Sequence, residues 1–395
     1  MSRINKNILL FYLAYVCMVI SISLPHAVLT VLLLKKGLSL SQILIVQSVY
    51  SFTILVSEYP SGLLADLYSK KKLFLISKVC LIVMFFLIMK GNSLIFMILA
   101  WIFYGLSTAL DSGTIDAEII NTLKYKNNDS KVARFISNIN RLDFISLIIG
   151  GSIGSWLYYR VGIKFYYLSI CLVLICIILI CKGYKSEFHP DYTIHVNSKS
   201  IFVQIKSGIR ELRESSKLRL MIYLTFVNQF FFQTHFQLWQ ALFLSKNINK
   251  TSFYLYYIIF QIISILAYSL NFSLTKKNIS IFYVISSVTM FLGILSIQSI
   301  NNILFVLSYC TLVFIFMFFD YFSNVLFSQN VSTRNISSLT SLKSSCGRIA
   351  SLTSLIISSA LINIFSTEFV VTMNFIFAIV ASVFVLFIFL KKTEF

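Results

Sequence analysis

Four ionisable side chains lie deep inside long apolar stretches of this 395-residue chain, where a charge is costly. They are His26, Asp111, His235 and Asp320, and the same number of residues separates the two histidines as separates the two aspartates. The matched spacing predicts a duplicated unit in which rare ionisable residues occupy equivalent positions. A carboxylate or an imidazole in such a place can exchange protons, bind a ligand or close a gate.

Two roles are open for Asp111 and for Asp320, which fall in the cytoplasmic part of their segments. Either the carboxylate exchanges a proton, or it forms a permanent gate with a cation such as Arg141 or Arg348. Unless their surroundings perturb them, the histidines titrate near neutral pH, so they either sense external protons or bind substrate, or they are ordinary hydrogen-bonded side chains. Two histidines without a third ligand at useful spacing predict no metal site.

The elements that must position these residues are membrane-spanning helices. Hydrophobic residues make up 58% of the chain and charged residues only 12%, which excludes a soluble globular domain. Apolar runs near the roughly 20 residues that cross a bilayer recur throughout, so we predict an all-α polytopic membrane protein. The first run is too long for a signal peptide, and no small-residue cleavage site follows it. Twelve spans are predicted, at 8–34, 41–64, 73–89, 93–117, 138–159, 164–181, 219–244, 251–272, 278–298, 302–327, 340–363 and 368–390.

The net charge of +19 follows from membrane topology and does not indicate a nucleic-acid partner. With the N-terminus inside, most of the 33 Lys and Arg residues, including the group at 70–78, fall on the cytoplasmic side, as the positive-inside rule requires. Both termini are then cytoplasmic. Only seven basic residues fall outside: Lys35, Lys36, Lys90, Arg160, Lys164, Lys246 and Lys250.

A long polar interruption divides the predicted spans into six and six. We expect an N-terminal half at 1–181, a cytoplasmic central loop at 182–217, and a C-terminal half at 218–395. Within the loop, the stretch SIFVQIKSGIRELRESSKLR has apolar residues at helical spacing with basic residues between them. This pattern predicts an amphipathic helix at an anionic membrane surface.

The stretch GLLADLYSKKK, between the second and third spans, resembles the loop signature of the major facilitator superfamily. The matching residues are Gly62, Asp66, Lys70 and Lys71, while Ser69 stands where a glycine is usual. The segments SGTIDAEI, HFQLWQALFL and RNISSLTSLKSSCGRIA are also similar to a bacterial, efflux-type subgroup of that family. The resemblance therefore extends over the whole chain.

The resemblance implies the twelve-helix fold with two pseudo-symmetric halves and a loop that acts as a cytoplasmic latch. On physical grounds, Gly62 would allow close helix approach and Asp66 would bind the N-terminal end of a neighbouring helix. The alternative is an ordinary basic loop with a solvated Asp66. The fourth span lacks the buried arginine of many proton antiporters, and the fifth span, with GGSIGSW, lacks their proline. Those glycines could instead permit tight helix packing.

In this family the first, fourth, seventh and tenth spans line the central cavity, and each carries polar residues at helical spacing here. An aromatic cage would suit an amphipathic substrate, although aromatic residues also cluster at membrane interfaces. The candidate cavity residues are Tyr15, His26, Tyr104, Asn228, Gln233, His235, Trp239, Tyr309 and Asn324.

These features together predict a secondary active transporter in the cell membrane that works by alternating access and is not an enzyme. We expect proton-coupled export of an amphipathic small molecule such as a drug, an antibiotic or a peptide. The expected partners are the substrate, protons and the lipid bilayer, with no cofactor, and we expect a monomer. Two alternatives remain open, a proton-coupled uptake symporter and a transporter-like receptor that does not cycle.

Overall fold

The computed structural model describes residues 3–67, 69–126, 128–186, 198–270, 276–299, 301–332 and 335–392. Within these ranges, some residues are described by their backbone alone. They are residues 59, 63, 65–67, 129, 198–205, 276–277, 336–338 and 392. The described residues form helices and connecting turns, without a strand. This confirms the all-α class.

Eight α-helices are described before residue 184, and seven more are described from residue 198 onwards. The first group comprises α1 (Arg3–Ser23), α2 (Leu29–Lys35), α3 (Leu40–Leu67), α4 (Lys70–Lys90), α5 (Leu94–Asp111), α6 (Ile115–Tyr125), α7 (Asp129–Val161) and α8 (Tyr166–Ile178), the last extended by a π-helical turn at Leu179–Gly183. The second group comprises α9 (Ser198–Glu214), α10 (Ser216–Ser245), α11 (Phe253–Ser269), α12 (Lys276–Ser296), α13 (Asn302–Asn330), α14 (Ile336–Leu361) and α15 (Thr367–Lys392).

The helices coincide with the predicted spans, with two breaks that the sequence analysis missed. The first span is α1 followed by α2, interrupted by a turn around Pro25, and the fourth is α5 followed by α6, interrupted at Gly113. Gly113 has φ of 69°, a conformation that favours glycine. Both breaks lie beside predicted functional residues, since His26 is in the first turn and Asp111 ends α5. Broken helices often build binding sites in transporters, because they free backbone polar groups at membrane depth.

Nine helical stretches of the described chain are long and apolar enough to cross a membrane, and one of them, Ser130–Gly183, covers two predicted spans. The predicted spans at α10 and α14 are not among the nine. Their sequences are rich in Gln, Ser and Thr, and these polar residues face the protein interior, as α10 shows with its buried Asn228, Thr234 and Gln240. Such helices span a membrane when their polar face is covered by protein or lines a cavity.

The chain folds into two compact units. The first consists of Met1–Ile194 with Lys250–Gln261, and the second of His195–Asn249 with Ile262–Phe395. The first unit has two apolar clusters. One centres on Phe85, Trp101 and Tyr166. The other centres on Phe11 and Phe135, and it is this cluster that surrounds the charged residues described below.

The core of the second unit is aromatic. The rings of Phe231 on α10 and Phe316 on α13 stack with centroids 3.9 Å apart, and Phe375 on α15 stacks on Phe231 at 4.5 Å. All three side chains are fully buried. Aromatic pairs of this kind contribute about 0.5–1.5 kcal/mol beyond their buried area, so they fix these three helices against one another.

The glycines of GGSIGSW lie at close helix contacts, which confirms the tight packing expected of them. A Cβ at Gly154 would meet the Leu24 backbone, with Leu24 Cα at 2.6 Å, and a Cβ at Gly150 would meet Ile20 O at 2.8 Å. A Cβ at Gly151 would meet the ring of Tyr257. Glycine is therefore required for α7 to approach the end of α1 this closely.

The helix predicted within the central loop is present as α9, and its C-terminal end is anchored. Its place at a membrane surface stays a prediction. The Glu211 carboxylate accepts hydrogen bonds from the Ser332 backbone N–H at 2.8 Å, from the Ser332 hydroxyl at 2.7 Å and from Asn335 Nδ2 at 2.6 Å. Burial alone would raise the pKa of Glu211, but these donors outweigh it and hold the pKa below its usual value. The anchor therefore fixes α9 to the segment between α13 and α14.

Candidate functional site

Among the described side chains of the first unit, the most buried charge is that of Lys78 on α4, which forms an ion pair with Asp111. Lys78 Nζ lies 2.8 Å from Asp111 Oδ1, and the two side chains are 1% and 26% exposed. The ammonium also lies 2.7 Å from Met18 Sδ and 4.2 Å from the centroid of the Phe74 ring. A lysine buried among apolar groups depends on its carboxylate, because an uncompensated charge there is very costly.

A second intramembrane carboxylate lies near this pair. The hydroxyl of Tyr15 on α1 donates to Asp143 Oδ1 on α7 at 2.8 Å, and Asp111 and Asp116 are also within electrostatic reach of Tyr15. Tyr15 was predicted as a cavity residue, whereas Asp143 was not singled out. In the first unit, Tyr15 thus binds Asp143 directly and interacts through space with Asp111, the carboxylate that pairs with Lys78.

The remaining candidates of the first unit contact other tyrosines. His26, in the turn between α1 and α2, has its Nδ1 3.4 Å from the Tyr257 hydroxyl. The Tyr104 ring stacks on Tyr50, with centroids 4.5 Å apart.

Arg141, predicted as a gate cation, is exposed on α7, and among the described residues no ion pair joins it to an acid. The cation of Asp111 is therefore Lys78 rather than Arg141.

The loop signature is only partly described. The Asp66 side chain lies outside the described residues, so its predicted role stays a prediction. No described atom lies within 4 Å of a Cβ placed on Gly62, so this glycine makes no close helix contact with the described part of the chain. Lys71 Nζ donates to Cys181 O at 2.9 Å and to Tyr184 O at 2.7 Å. This basic residue therefore binds carbonyls at the end of the sixth span, where a helix carries partial negative charge.

Asp320, the counterpart of Asp111 under the predicted repeat, has a different environment. Its Oδ2 accepts hydrogen bonds from the Tyr268 hydroxyl and from Asn324 Nδ2, the latter at 2.9 Å. Asn324 Oδ1 in turn accepts from Lys343 Nζ on α14 at 2.6 Å. A tyrosine and an asparagine thus contact the carboxylate directly, and its nearby cation is Lys343, reached through Asn324, rather than Arg348.

A cavity of about 380 Å³ opens beside this chain of hydrogen bonds, within the second unit. Three predicted residues line it, Gln233, Asn324 and Arg348. The other lining residues are Thr225, Gln229, Thr340, Lys343, Ser344, Gly347 and Ser351. Its volume lies in the range typical of small-molecule sites, and its walls come from α10, α13 and α14.

Four other predicted cavity residues are buried in the second unit away from this cavity. His235 Nδ1 lies 3.0 Å from the Tyr309 hydroxyl, and both side chains pack in the aromatic core. Trp239 packs edge-on against Phe243 and is 4% exposed. The Asn228 amide is fully buried, and within the described part of the chain it has no hydrogen-bond partner.

Sequence reasoning missed three residues that the structure places at these sites, Lys78, Asp143 and Lys343. Lys78 had been grouped with the basic loop because Lys70 and Lys71 precede it closely. The available signal was its position in the third span, where a lone lysine flanked by apolar residues requires an acid from another helix.

Comparison with known proteins supports the transporter architecture. The family model of the Major Facilitator Superfamily matches residues 11–352. The chain belongs to the Major Facilitator Superfamily. Among curated protein sequences, none is significantly similar to this member of the superfamily. Family and fold are those of transporters, so this is a polytopic membrane protein with an alternating-access fold.

Solved structures agree on the fold of this superfamily member. The crystal structure of the nucleoside transporter NupG aligns over 100% of both chains, with a TM-score of 0.73 and 13% identity. A bacterial homolog of the human lysosomal transporter Spinster, inward-facing and unoccupied, aligns over 98% of this chain and 97% of its own, with a TM-score of 0.73 and 10% identity. The human organic anion transporter MFSD10 (TETRAN) aligns over 98% of this chain and 100% of its own, with a TM-score of 0.62 and 11% identity. At these identities the neighbours establish the fold alone.

Proposed function

We propose that this protein is a secondary active transporter that exports an amphipathic small molecule in exchange for protons. The observation that carries the proposal is the ion pair between Lys78 and Asp111, buried beside the break between α5 and α6. A buried charge pair is weak evidence for stability alone, since apolar residues of similar size often serve as well. Its presence beside a helix break in a transporter fold favours a role in coupling.

The coupling would follow from the dependence of each charge on the other. Protonation of Asp111 would leave Lys78 charged and buried, at a cost of about 3–5 kcal/mol, unless the surroundings rearranged to hydrate it. A conformation that hydrates Lys78 would therefore be favoured when Asp111 binds a proton. The energy available is sufficient, since one charge crossing 100 mV supplies about 2.3 kcal/mol in addition to any pH gradient.

Several further features belong to the same proposal. We propose that the protein acts as a monomer in the plasma membrane, with both termini cytoplasmic and with the division into 1–181, 182–217 and 218–395. The loop residues Gly62, Asp66, Lys70 and Lys71 would form the latch. A proton-coupled uptake symporter and a receptor that does not cycle are the alternatives, and the experiment below separates them.

The test is proton movement in liposomes that contain the purified protein and an internal pH dye. The panel contains hydrophobic cations, hydrophobic carboxylates, antibiotics and short peptides. The variant is Asp111→Asn, and the matched control is Glu214→Gln, whose side chain is 66% exposed on α9. We expect a substrate-dependent pH change that Asp111→Asn abolishes and Glu214→Gln preserves.

The sign of the pH change gives the direction of transport, and a sign that indicates cotransport would replace export by uptake. Substrate movement without any pH change would refute proton coupling. If a substrate binds but neither it nor protons move, the receptor alternative replaces the transporter.

A further inference from the structure

The cavity of the second unit is positively charged. Lys343 and Arg348 on α14 both line it, and no carboxylate belongs to its described lining. The other lining side chains are amides and hydroxyls, apart from Gly347. A cavity with two cations and no acid repels cationic ligands and attracts anionic ones.

The two cations differ in how their charge is balanced. Lys343 is 8% exposed, donates to Asn324 and interacts through space with Asp320, so a negative charge already lies nearby. Arg348 is half-buried, and among the described residues no acid forms an ion pair with it. Its planar guanidinium has five donors in a geometry that matches a carboxylate or a phosphate. Arg348 is therefore the group that a ligand anion would satisfy.

Three uncharged side chains of the cavity lining, Gln229, Gln233 and Ser351, hold one another in place by hydrogen bonds. Gln233 Nε2 donates to Ser351 Oγ at 3.0 Å, and Ser351 Oγ donates to Gln229 Oε1 at 2.9 Å. A Cβ on Gly347 would lie 4.0 Å from Gln229 Nε2, so α10 and α14 are at ordinary contact distance there. Side chains that hold one another in this way bind a ligand with little loss of conformational entropy.

We propose that this cavity binds a small organic anion, with its carboxylate or phosphate group held by Arg348 and supported by Lys343. The inference rests on the proposed transport function, because it names the chemical class of the substrate. It narrows the amphipathic substrate to one with an acid group. Export of a monoanion from a cell that is negative inside would also be driven by the membrane potential.

The experiment compares ligands that share one skeleton and differ in charge. The probes are 4-phenylbutyrate, 4-phenylbutyl phosphate, the neutral 4-phenylbutyramide and the cationic 4-phenylbutylamine. Each is titrated against the purified full-length protein at constant pH and ionic strength, and the unfolding temperature is followed by intrinsic fluorescence. A ligand that binds only the folded state raises this temperature with concentration, which gives its apparent Kd.

We expect stabilisation by one or both anions, and the stronger of the two identifies the acid group. Arg348→Gln should weaken that binding about tenfold or more, because a hydrogen bond to a charged group is lost. Arg348→Lys should weaken it less, since the charge remains while the planar fork is lost. Lys391→Gln, an equal loss of charge at the exposed end of α15, should leave it unchanged.

A size series keeps the test decisive if Arg348→Gln does not fold. Gly347→Ala fits at ordinary contact distance and should bind the anion normally, whereas Gly347→Leu should fill the cavity and abolish binding. The proposal is overturned if neither anion stabilises the protein, if the amide or the amine binds as tightly, or if Arg348→Gln keeps the preference. Binding at one pH needs no transport, so anion selectivity can survive the failure of proton coupling, and the reverse also holds.

Discussion

The dependence of Lys78 on Asp111 leads to a quantitative prediction about stability. Asp111→Asn leaves an ammonium with only 1% of its side chain exposed and, among the described residues, no other carboxylate paired with it. Removing one partner of a buried pair costs about 3–5 kcal/mol. On a unit of this size each kcal/mol lowers the unfolding temperature by about 2–4 °C, so we expect a decrease of about 10 °C.

The reverse substitution should cost less. Lys78→Met leaves Asp111, whose side chain is 26% exposed and keeps part of its hydration. The methionine would also pack well, because Met18 and Phe74 surround the lysine head group. We therefore expect a decrease of about half the size or less.

The double variant Lys78→Met with Asp111→Asn decides between an ion pair and two independent charges. If the pair is coupled, the double variant should recover most of the stability that Asp111→Asn loses, so the effects are far from additive. The assay is thermal unfolding in one detergent at neutral pH, with Glu214→Gln as the control for an exposed acid. Additive effects, or an Asp111→Asn protein as stable as the control, would refute the dependence of the lysine on its carboxylate.

Two further predictions concern helix anchoring and helix packing. Because hydrogen bonds lower the pKa of Glu211, its anchor stabilises the protein above the ordinary glutamate pKa and is lost as the pH falls through the lower folded value. Glu211→Gln should therefore reduce the free energy of unfolding by about 1 kcal/mol at pH 7 and by less near pH 3. The control Glu214→Gln should have little effect at either pH. A loss at pH 3 as large as that at pH 7 would contradict the anchor. Gly154→Ala should destabilise the protein by about 1–3 kcal/mol in thermal unfolding, because its Cβ would meet the Leu24 backbone, while Gly62→Ala should be neutral. Equal effects of the two alanines would show that close approach does not explain Gly154.

The sequence predicted the helices well because membrane depth imposes a length and an apolar composition on each span. It did not predict the breaks at Pro25 and Gly113, since a single proline or glycine is tolerated inside many membrane helices. Two of the predicted spans coincide with the helices α10 and α14, although the polar faces of these helices make their mean hydropathy lower than that of an ordinary span. The hydrophobic pattern thus predicts the position of each helix, whereas the breaks within helices depend on backbone conformations that the pattern does not contain.

The partners of the ionisable residues were beyond the reach of sequence spacing. His235 and Tyr309 follow the expected helical stripes, but helical periodicity cannot distinguish a stripe that faces a cavity from one that faces an aromatic core. Arg141 and Arg348 were matched to the aspartates by charge alone. The pairing depends on which helices pack together, which a single sequence does not specify.

Charge compensation differs between the two units although the predicted repeat places Asp111 and Asp320 at matching positions. In the first unit the lysine comes from α4 and touches the carboxylate at 2.8 Å. In the second it comes from α14, and Asn324 stands between the charges, accepting from Lys343 and donating to Asp320. These helices form the third and eleventh spans, which are not equivalent under a six-span repeat.

This asymmetry changes what protonation would do in each unit. Neutralising Asp320 would leave the hydrogen bond from Lys343 to Asn324 in place. Neutralising Asp111 would leave the Lys78 ammonium in contact only with a thioether and an aromatic ring among the described residues. A thioether and a ring stabilise an ammonium far less than a carboxylate does. A proton bound at Asp111 would therefore have the larger structural consequence. Under the proposed coupling, the first unit is where proton binding changes the conformation, while Lys343 remains available to the cavity of the second.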